Sequence, residues 1–365
     1  MHKSLAGIWK VRRGKTALKH SYHTMSSKSK LSPKLPWRVR LFVSVMSFGA
    51  DMCRRSNFTV NRTLMNLFDL KSTASNNPIH GVKSSDIVVD SSCDLWFRLY
   101  TPTAAHAPGS PTLPVVIFFH GGGFAFMAPN SKPYDDFCRR LAGELAAIVI
   151  SVNYRLSPEH RCPTQYEDGL KVMKFIDDVN QWSEGLNVNL KECFIAGDSA
   201  GGNIAHHVAV KANEHRFRNL RLIGIISIQP FFGGEERTEA EIQMEVAPFI
   251  SRERTEWMWK AFLPEGSDRD HPAANVFGPN GEEISSVEYP ATIVFVGGLD
   301  PLKEWQKRYY EGLKKSGKEA YLVEYPNAIH TFYAYPELPC RSHLCSSKRP
   351  HILSKSEQLS SQIIN

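Results

Sequence analysis

The sequence predicts an α/β fold with a mostly parallel central sheet flanked by helices. Two observations carry this prediction. Apolar runs such as 114–120 and 147–153 have the continuous hydrophobicity of strands that are buried on both faces of a sheet. Segments with apolar residues at helical spacing, such as 165–179, alternate with these runs along the chain.

The composition is that of a folded chain behind a basic leader. The chain has 365 residues, 42% of them hydrophobic and 11% aromatic, so it can bury a large core. Residues 1–50 carry eleven Lys and Arg and no acid, and the other 33 basic and 37 acidic residues leave the rest of the chain at −4. We expect residues 1–36 to be a disordered basic leader and the body to bind no nucleic acid.

The leader leaves two interpretations open. It lacks the apolar region of a secretory signal, but a basic segment without acids also fits an organelle transit peptide. The alternative is upstream sequence in front of a start at Met25. Seven scattered cysteines without a C-x-x-C pair favour thiols in a reducing compartment, so the expected location is the cytoplasm. The apolar run at 41–50 is too short for a membrane span, which needs ~20 residues.

The first elements precede the parallel part of the sheet. Residues 37–70 have the pattern of two short amphipathic helices, the second with Leu64 and Phe68 at helical spacing. Residues 86–90 and 95–100 are predicted to form a hairpin at the edge of the sheet.

The later elements alternate, with one interruption. Residues 233–285 hold Met-, Trp- and Phe-rich helical segments and a turn-rich stretch, which predicts a cap inserted over the sheet. The predicted strands lie at 114–120, 147–153, 193–196, 222–228, 292–296 and 320–324. The predicted helices lie at 134–145, 165–179, 203–210 and 303–316.

One stretch has the pattern of a nucleophile elbow. Gly197-Asp198-Ser199-Ala200-Gly201 lies between the apolar run 193–196 and the helical segment 203–210, and G-x-S-x-G requires this order of strand, sharp turn and helix. Side chains two positions either side of Ser199 would collide in so tight a turn, which explains both glycines. The alternative is a chance Gly/Ser turn.

Acyl transfer also needs a base, a group that orients it and donors for an oxyanion. His120-Gly121-Gly122-Gly123 ends a predicted strand, and its glycines leave backbone N–H groups unobstructed. Asp300 and His330 each follow a later strand, in the chain order Ser, Asp, His. The alternatives are a flexible or phosphate-binding loop, a helix cap for Asp300 and a structural or solvated His330. Four features in this order favour Ser199, Asp300 and His330 as catalytic residues.

Neighbouring residues are expected to support the site. His120, Gly121 and Asp198 are predicted to shape it, His120 by fixing the glycine loop. Glu159 and His160 are predicted to brace a loop below it. The glycine loop has no G-x-G-x-x-G or G-x-x-x-x-G-K-[ST] pattern, which disfavours nucleotide binding. No cofactor or metal is expected.

The motifs resemble those of a known family. His-Gly-Gly-Gly at 120–123, Tyr-Arg-Leu-Ser-Pro-Glu-His at 154–160 and Gly-Asp-Ser-Ala-Gly-Gly-Asn at 197–203 resemble the hormone-sensitive-lipase branch of the α/β-hydrolases. The segment 37–81 resembles plant carboxylesterases and the related gibberellin receptors. The similarity runs from about 37 to 339.

This resemblance implies an α/β-hydrolase domain over 37–339, with a helical lid in 37–81 and an oxyanion hole formed by Gly122, Gly123 and Ala200. The implied activity is that of a serine carboxylesterase, which hydrolyses small carboxylic esters through an acyl-enzyme without a cofactor. A small-molecule ester is the expected partner, and the oligomeric state is left open.

Two other functions on this scaffold stay open. Gibberellin receptors have lost the catalytic histidine and typically carry serine at the position of Gly123. A related dehydratase branch typically replaces the nucleophilic serine with threonine. This chain keeps Gly123, Ser199 and His330, which favours the esterase. Residues 340–365 depart from the family's final amphipathic helix and are predicted to be an atypical C-terminal tail.

Overall fold

The central sheet matches the fold class that the apolar runs predict. The structure, a computed structural model, describes residues 35–106, 112–244, 247 and 250–335. The strands are β1 (Val82–Asp90), β2 (Leu95–Pro102), β3 (Leu113–Phe119), β4 (Ile148–Asn153), β5 (Val188–Asp198), β6 (Leu222–Ile228), β7 (Ala291–Gly297) and β8 (Ala320–Tyr325). They form one sheet in the order β1-β2-β4-β3-β5-β6-β7-β8. The β1–β2 and β2–β4 pairs are antiparallel and the other pairs are parallel, so the predicted mostly parallel sheet is confirmed.

Helices cover both faces of this sheet. They are α1 (Trp37–Cys53), α2 (Arg62–Phe68), α3 (Lys132–Leu145), α4 (Thr164–Asp177), α5 (Ala200–Ala212), α6 (Glu239–Gln243), α7 (Arg252–Phe262) and α8 (Lys303–Lys315). The helices α4 and α5 pack on one face and α3 packs on the other. The helix α8 packs beside β7 and β8.

The strand β3 is apolar on both sides because both of its faces are covered by helices. Val115 and Ile117 pack in the cluster that contains α4 and α5, whereas Val116 and Phe118 pack in the cluster that contains α3. All four side chains are buried. Successive side chains of a strand point to opposite faces, so a strand covered on both sides is apolar at every position.

The N-terminal helices are the two that the sequence predicts, but the first is longer than expected. The helix α1 has 17 residues and buries Val39 and Val43. Trp37 and Leu41 on its other side stay exposed. Arg38 lies near the start of this helix, and its side chain is at the surface.

Some predictions fall outside the described residues. These are the leader as far as residue 34 and the tail at 340–365. No helix in the described ranges is long and apolar enough to cross a membrane. Five cysteines in these ranges are free thiols, namely Cys53, Cys93, Cys138, Cys162 and Cys193.

Candidate active site

Ser199 occupies a strained turn between β5 and α5. Its φ of 51° and ψ of −118° lie in a region that residues with side chains rarely adopt. A Cβ on Gly197 would lie 2.2 Å from the carbonyl oxygen of Gly201, and a Cβ on Gly201 would lie 1.9 Å from the carbonyl oxygen of Phe119. The predicted need for glycine on either side of this turn is confirmed.

The three side chains predicted to be catalytic lie in one hydrogen-bonded row. His330 Nε2 is 3.0 Å from Ser199 Oγ, and His330 Nδ1 is 2.7 Å from Asp300 Oδ2. A carboxylate only accepts, so in a neutral imidazole Nδ1–H donates to Asp300 and Nε2 accepts from the serine hydroxyl. All three residues are buried. Hydrogen bonds therefore join a hydroxyl, an imidazole and a carboxylate, which is the arrangement that nucleophilic catalysis requires.

Asp300 is held by partners that the sequence did not reveal. Its Oδ2 also accepts from Gln229 Nε2 and from Gln306 Nε2, each at 2.9 Å. Its Oδ1 accepts from the Leu302 N–H at 2.9 Å. Asp300 is not the helix cap that stood as the alternative, because α8 has Leu302 as its N-cap and no side-chain cap bond. The carboxylate instead bonds to the turn before the helix and to the histidine. In the sequence, the only sign that Gln229 contacts the site is its position just after a predicted strand. No feature of the sequence indicates that Gln306 does so.

The glycine loop is fixed through its first amide. The Gly121 N–H donates to Asp198 Oδ1 at 2.9 Å and lies 2.8 Å from the Tyr134 hydroxyl oxygen. That hydroxyl donates to Asp198 Oδ2 at 2.9 Å. The amide of Gly121 is thereby used as an anchor. The next two residues, Gly122 and Gly123, line the same cavity as the serine.

Ala200 is the third predicted oxyanion donor. The helix α5 begins at Ala200, three residues before the predicted start at 203. The Gly201-Gly202 pair disfavours a helix and misled the sequence-based boundary. As the first residue of the helix, Ala200 has an N–H group without an intrahelical acceptor.

Two buried titratable groups lie beside this loop. Burial lowers the pKa of His120 to about 3, so this ring is neutral near pH 7. Its Nδ1 lies 2.8 Å from the carbonyl oxygen of Gly121, to which it donates. Burial raises the pKa of Asp198 to about 6, against the opposite effect of hydrogen bonds from Tyr333 and Tyr134. His120 and Asp198 therefore both bond to Gly121, the first glycine of the loop. That these three residues shape the site stays a prediction.

A mostly apolar cavity of about 180 Å³ lies over the serine. Arg54 and Arg254 are its cationic side chains, and both bond to Asp51, at 2.5 Å and 2.6 Å respectively. Apolar lining comes from α1, α2, the glycine loop and the cap segment, through Phe42, Met46, Met65, Phe68, Phe126, Met127, Ile250 and Met258. The N-terminal helices and the cap thus enclose one side of the site.

The loop below the site is joined to α2 by one arginine. Arg62 Nε donates to Glu159 Oε1 at 3.0 Å, and its NH2 group donates to the Ser157 carbonyl at 2.7 Å. The carbonyl of His160 accepts from Gln165 Nε2 at 2.6 Å. Glu159 therefore braces this loop through its side chain and His160 through its backbone.

Comparisons with known proteins agree with this architecture. The family description "alpha/beta hydrolase fold" matches residues 116–334. A gibberellin receptor of Arabidopsis thaliana is 40% identical over 312 residues, which cover 83% of this chain and 90% of the receptor. Carboxylesterase 20 of the same plant is 35% identical over 286 residues, which cover 74% of this chain and 85% of that protein.

A solved structure shows the same architecture. The esterase of Pyrobaculum calidifontis superposes with a TM-score of 0.65 at 26% identity, over 87% of this chain and 92% of that one. The chain therefore belongs to the alpha/beta hydrolase fold family, in the hormone-sensitive-lipase-like branch that contains plant gibberellin receptors and carboxylesterases.

Proposed function

We propose that this protein is a serine carboxylesterase that hydrolyses small carboxylic esters. The observation that carries the proposal is the row of Ser199, His330 and Asp300, with contacts of 3.0 Å and 2.7 Å. The similarity to a plant carboxylesterase and to a solved esterase supports the same activity. A mostly apolar cavity of about 180 Å³ supports substrates with short acyl chains.

The proposed reaction begins when Ser199 Oγ attacks the ester carbonyl carbon while His330 Nε2 takes the hydroxyl proton. The amides of Gly122, Gly123 and Ala200 donate to the resulting oxyanion. Collapse of this intermediate breaks the bond to the alcohol, which leaves with the proton from His330. Water then attacks the acyl-enzyme by the same steps and releases the acid.

Asp300 acts through the histidine in this mechanism. Its contact with Nδ1 keeps the ring in the tautomer whose Nε2 is free to accept. The carboxylate also stabilises the imidazolium that forms when the serine proton is taken. No step requires Asp300 to become protonated.

A second candidate is a binding protein that holds a gibberellin without turnover. Two gibberellin receptors of Arabidopsis thaliana, at 40% and 39% identity, are each matched over 90% of their length. The enclosure of the cavity by α1 and α2 also suits a ligand-gated surface. Against it stands His330, because a receptor needs no base beside its serine.

The decisive experiment measures hydrolysis of p-nitrophenyl butyrate by the wild type and by Ser199→Ala. We expect the variant to lose about 10³-fold or more of the wild-type kcat, the range seen when a triad nucleophile is removed. Ser227→Ala is the matched control, since this buried serine lies on β6 and does not line the cavity.

A fluorophosphonate probe provides an independent readout. Labelling of the wild type, but not of Ser199→Ala, is expected. Absence of both labelling and turnover, together with saturable gibberellin binding by calorimetry, would favour the receptor.

A further inference from the structure

Gln229 occupies a strained and buried position at the end of β6. It follows Ile228, the last residue of that strand, and its φ is 44°. Only 1% of its surface is exposed. A residue with a side chain rarely adopts a positive φ unless its surroundings impose it, and such strain clusters at functional sites.

The side-chain amide of Gln229 has three partners. Its Nε2 donates to Asp300 Oδ2 at 2.9 Å and to the Ile329 carbonyl at 3.0 Å. Its Oε1 accepts from the Thr331 N–H at 2.8 Å. Two partners are pure acceptors and the third is a donor, so only one orientation of the amide satisfies all three.

The neighbouring strand leaves room for this amide. A Cβ on Gly297, the last residue of β7, would lie 2.5 Å from Gln229 Nε2. Any side chain there would displace the amide from Asp300. The positive φ of Gln229 and the lack of a side chain at Gly297 therefore both allow the three hydrogen bonds of the Gln229 amide.

We propose that Gln229 is a positioning residue that fixes Asp300 and the loop of His330 relative to each other, an inference that rests on the proposed esterase function. Its amide bonds to the acid itself and to Ile329 and Thr331, the two neighbours of the histidine. Asp300 and His330 follow different strands, so their relative position depends on contacts between loops. Gln229 supplies such contacts from a third strand.

Gln306 provides a matched control. Its Nε2 also donates to Asp300 Oδ2, at the same 2.9 Å. It lies in α8 and has no hydrogen bond to Ile329 or Thr331 among the described residues. Substitution of either glutamine by methionine removes one donor to Asp300, but only Gln229→Met also releases the histidine loop.

The test compares kcat and KM of Gln229→Met and Gln306→Met for p-nitrophenyl butyrate. We expect kcat of Gln229→Met to fall about 10²-fold, the scale of a displaced catalytic group. For Gln306→Met we expect about a fivefold fall, the scale of one hydrogen bond. KM should stay within about twofold in both, because neither glutamine lines the cavity.

A spectroscopic readout separates this inference from the proposed function. The proton shared by His330 Nδ1 and Asp300 should give a downfield resonance in the wild type and in Gln306→Met. Its loss in Gln229→Met supports positioning even if no ester is hydrolysed. Failure of the esterase proposal would instead appear as a wild-type rate that Ser199→Ala does not change.

Two outcomes for Gln229→Met would overturn the inference. One is an unchanged resonance, and the other is a kcat no lower than that of Gln306→Met.

The near-isosteric Gln229→Glu is tested in the same way if Gln229→Met does not fold. A third outcome, in which neither Gln229 variant folds although Gln306→Met does, would also overturn the inference, because the residue would then be needed for the fold and not for the site.

Discussion

Asp198 shows how the residue before Ser199 anchors the glycine loop. Its two carboxylate oxygens accept from the Gly121 N–H and from the Tyr134 hydroxyl. The side chain is 1% exposed, so its charged form has lost nearly all contact with water. These hydrogen bonds offset only part of the lost solvation, and the pKa of Asp198 rises to about 6.

This raised pKa predicts a pH dependence of stability. An unfolded Asp198 has a pKa near 3.8, so between about pH 4 and pH 6 the folded state binds more protons than the unfolded state. The contribution of Asp198 to stability is therefore highest below this interval and falls as pH rises through it. We expect a loss of up to about 3 kcal/mol in the wild type relative to Asp198→Asn.

Urea denaturation of both proteins at several pH values across this interval measures the difference. Asn keeps an acceptor for the Gly121 N–H but does not titrate. The difference between the two pH profiles therefore measures the effect of protonating Asp198. Parallel pH profiles for the two proteins would contradict the assigned burial effect.

Sequence could predict the residues that approach Ser199 but not those that hold them. Asp300 and His330 follow strands of a parallel sheet, and such positions converge at one edge. Gln229 lies 71 residues from Asp300 and 100 from Ile329, and its only signal in the sequence is a position just after a predicted strand. The role proposed for this glutamine depends on Asp300, Ile329 and Thr331, which only the fold brings close to it.

The helix α7 contributes Arg254 and Met258 to the lining of the cavity. Met258 is 7% exposed and lines the cavity. Its sulfur lies so near Gly123 that a Cβ there would approach it to 2.3 Å. This thioether therefore limits the space beside a predicted oxyanion donor. Under the proposed function, we expect it to limit the length of the acyl chain as well.

Met258→Ala should shift the preference toward longer acyl chains. We expect the ratio of kcat/KM for p-nitrophenyl octanoate over butyrate to rise about tenfold, the scale of one or more methylenes in an apolar pocket. Stability should fall by about 2–5 kcal/mol. Met173→Ala is the control, because Met173 is buried in α4 and does not line the cavity. If Met173→Ala raised the octanoate-to-butyrate ratio of kcat/KM as much as Met258→Ala does, the effect would not be local to the cavity.

At the scale of elements, strand bounds and helix bounds were both predicted unevenly: β5 begins five residues before the predicted start at 193, whereas α3, α4 and α8 end within two residues of their predicted ends. The predicted strand at 222–228 has the same bounds as β6, since a buried strand is a continuous apolar run between polar neighbours. The start of α5 was missed because an elbow forces glycines into its first turn. The length of α1 was missed because its exposed side is also apolar, with Trp37 and Phe48 at the surface.

One buried arginine ties the edge of the sheet to the rest of the molecule. Arg98 in β2 bonds twice to Asp86 in β1, at 2.6 Å and 2.8 Å. It also donates to the Ser72 carbonyl, which follows α2, and to Asp135 in α3. The hairpin, the N-terminal segment and a covering helix thus meet at one guanidinium that is 1% exposed.

Arg98→Met should destabilise the protein by about 3–5 kcal/mol, because it leaves buried Asp135 with less compensation. The expected result is a lower urea midpoint with an unchanged slope. Lys132→Met is the control, since Lys132 pairs with Asp136 at the surface and should change stability by about 0.5 kcal/mol or less. An Arg98 variant as stable as this control would show that the network contributes little.

The order of the strands within the sheet could not be predicted from the sequence. Alternating strands and helices predict a parallel sheet, but they do not say that β4 lies between β2 and β3. That order depends on which crossover each helix makes, and no local pattern records it. The cavity volume could not be predicted either, because it depends on side chains from separate segments between Phe42 and Tyr335.

The enclosure of the cavity has a consequence for how the molecule is made. The ring of Phe42 in α1 packs against that of Tyr335, with centroids 6.0 Å apart, so the first and last described parts of the chain meet beside the serine. Contacts between such distant residues form slowly, since a long loop must close first. A ribosome will therefore have synthesised nearly all of this range before the pocket can close. We therefore expect the proposed activity to recover no earlier than the sheet when the protein refolds.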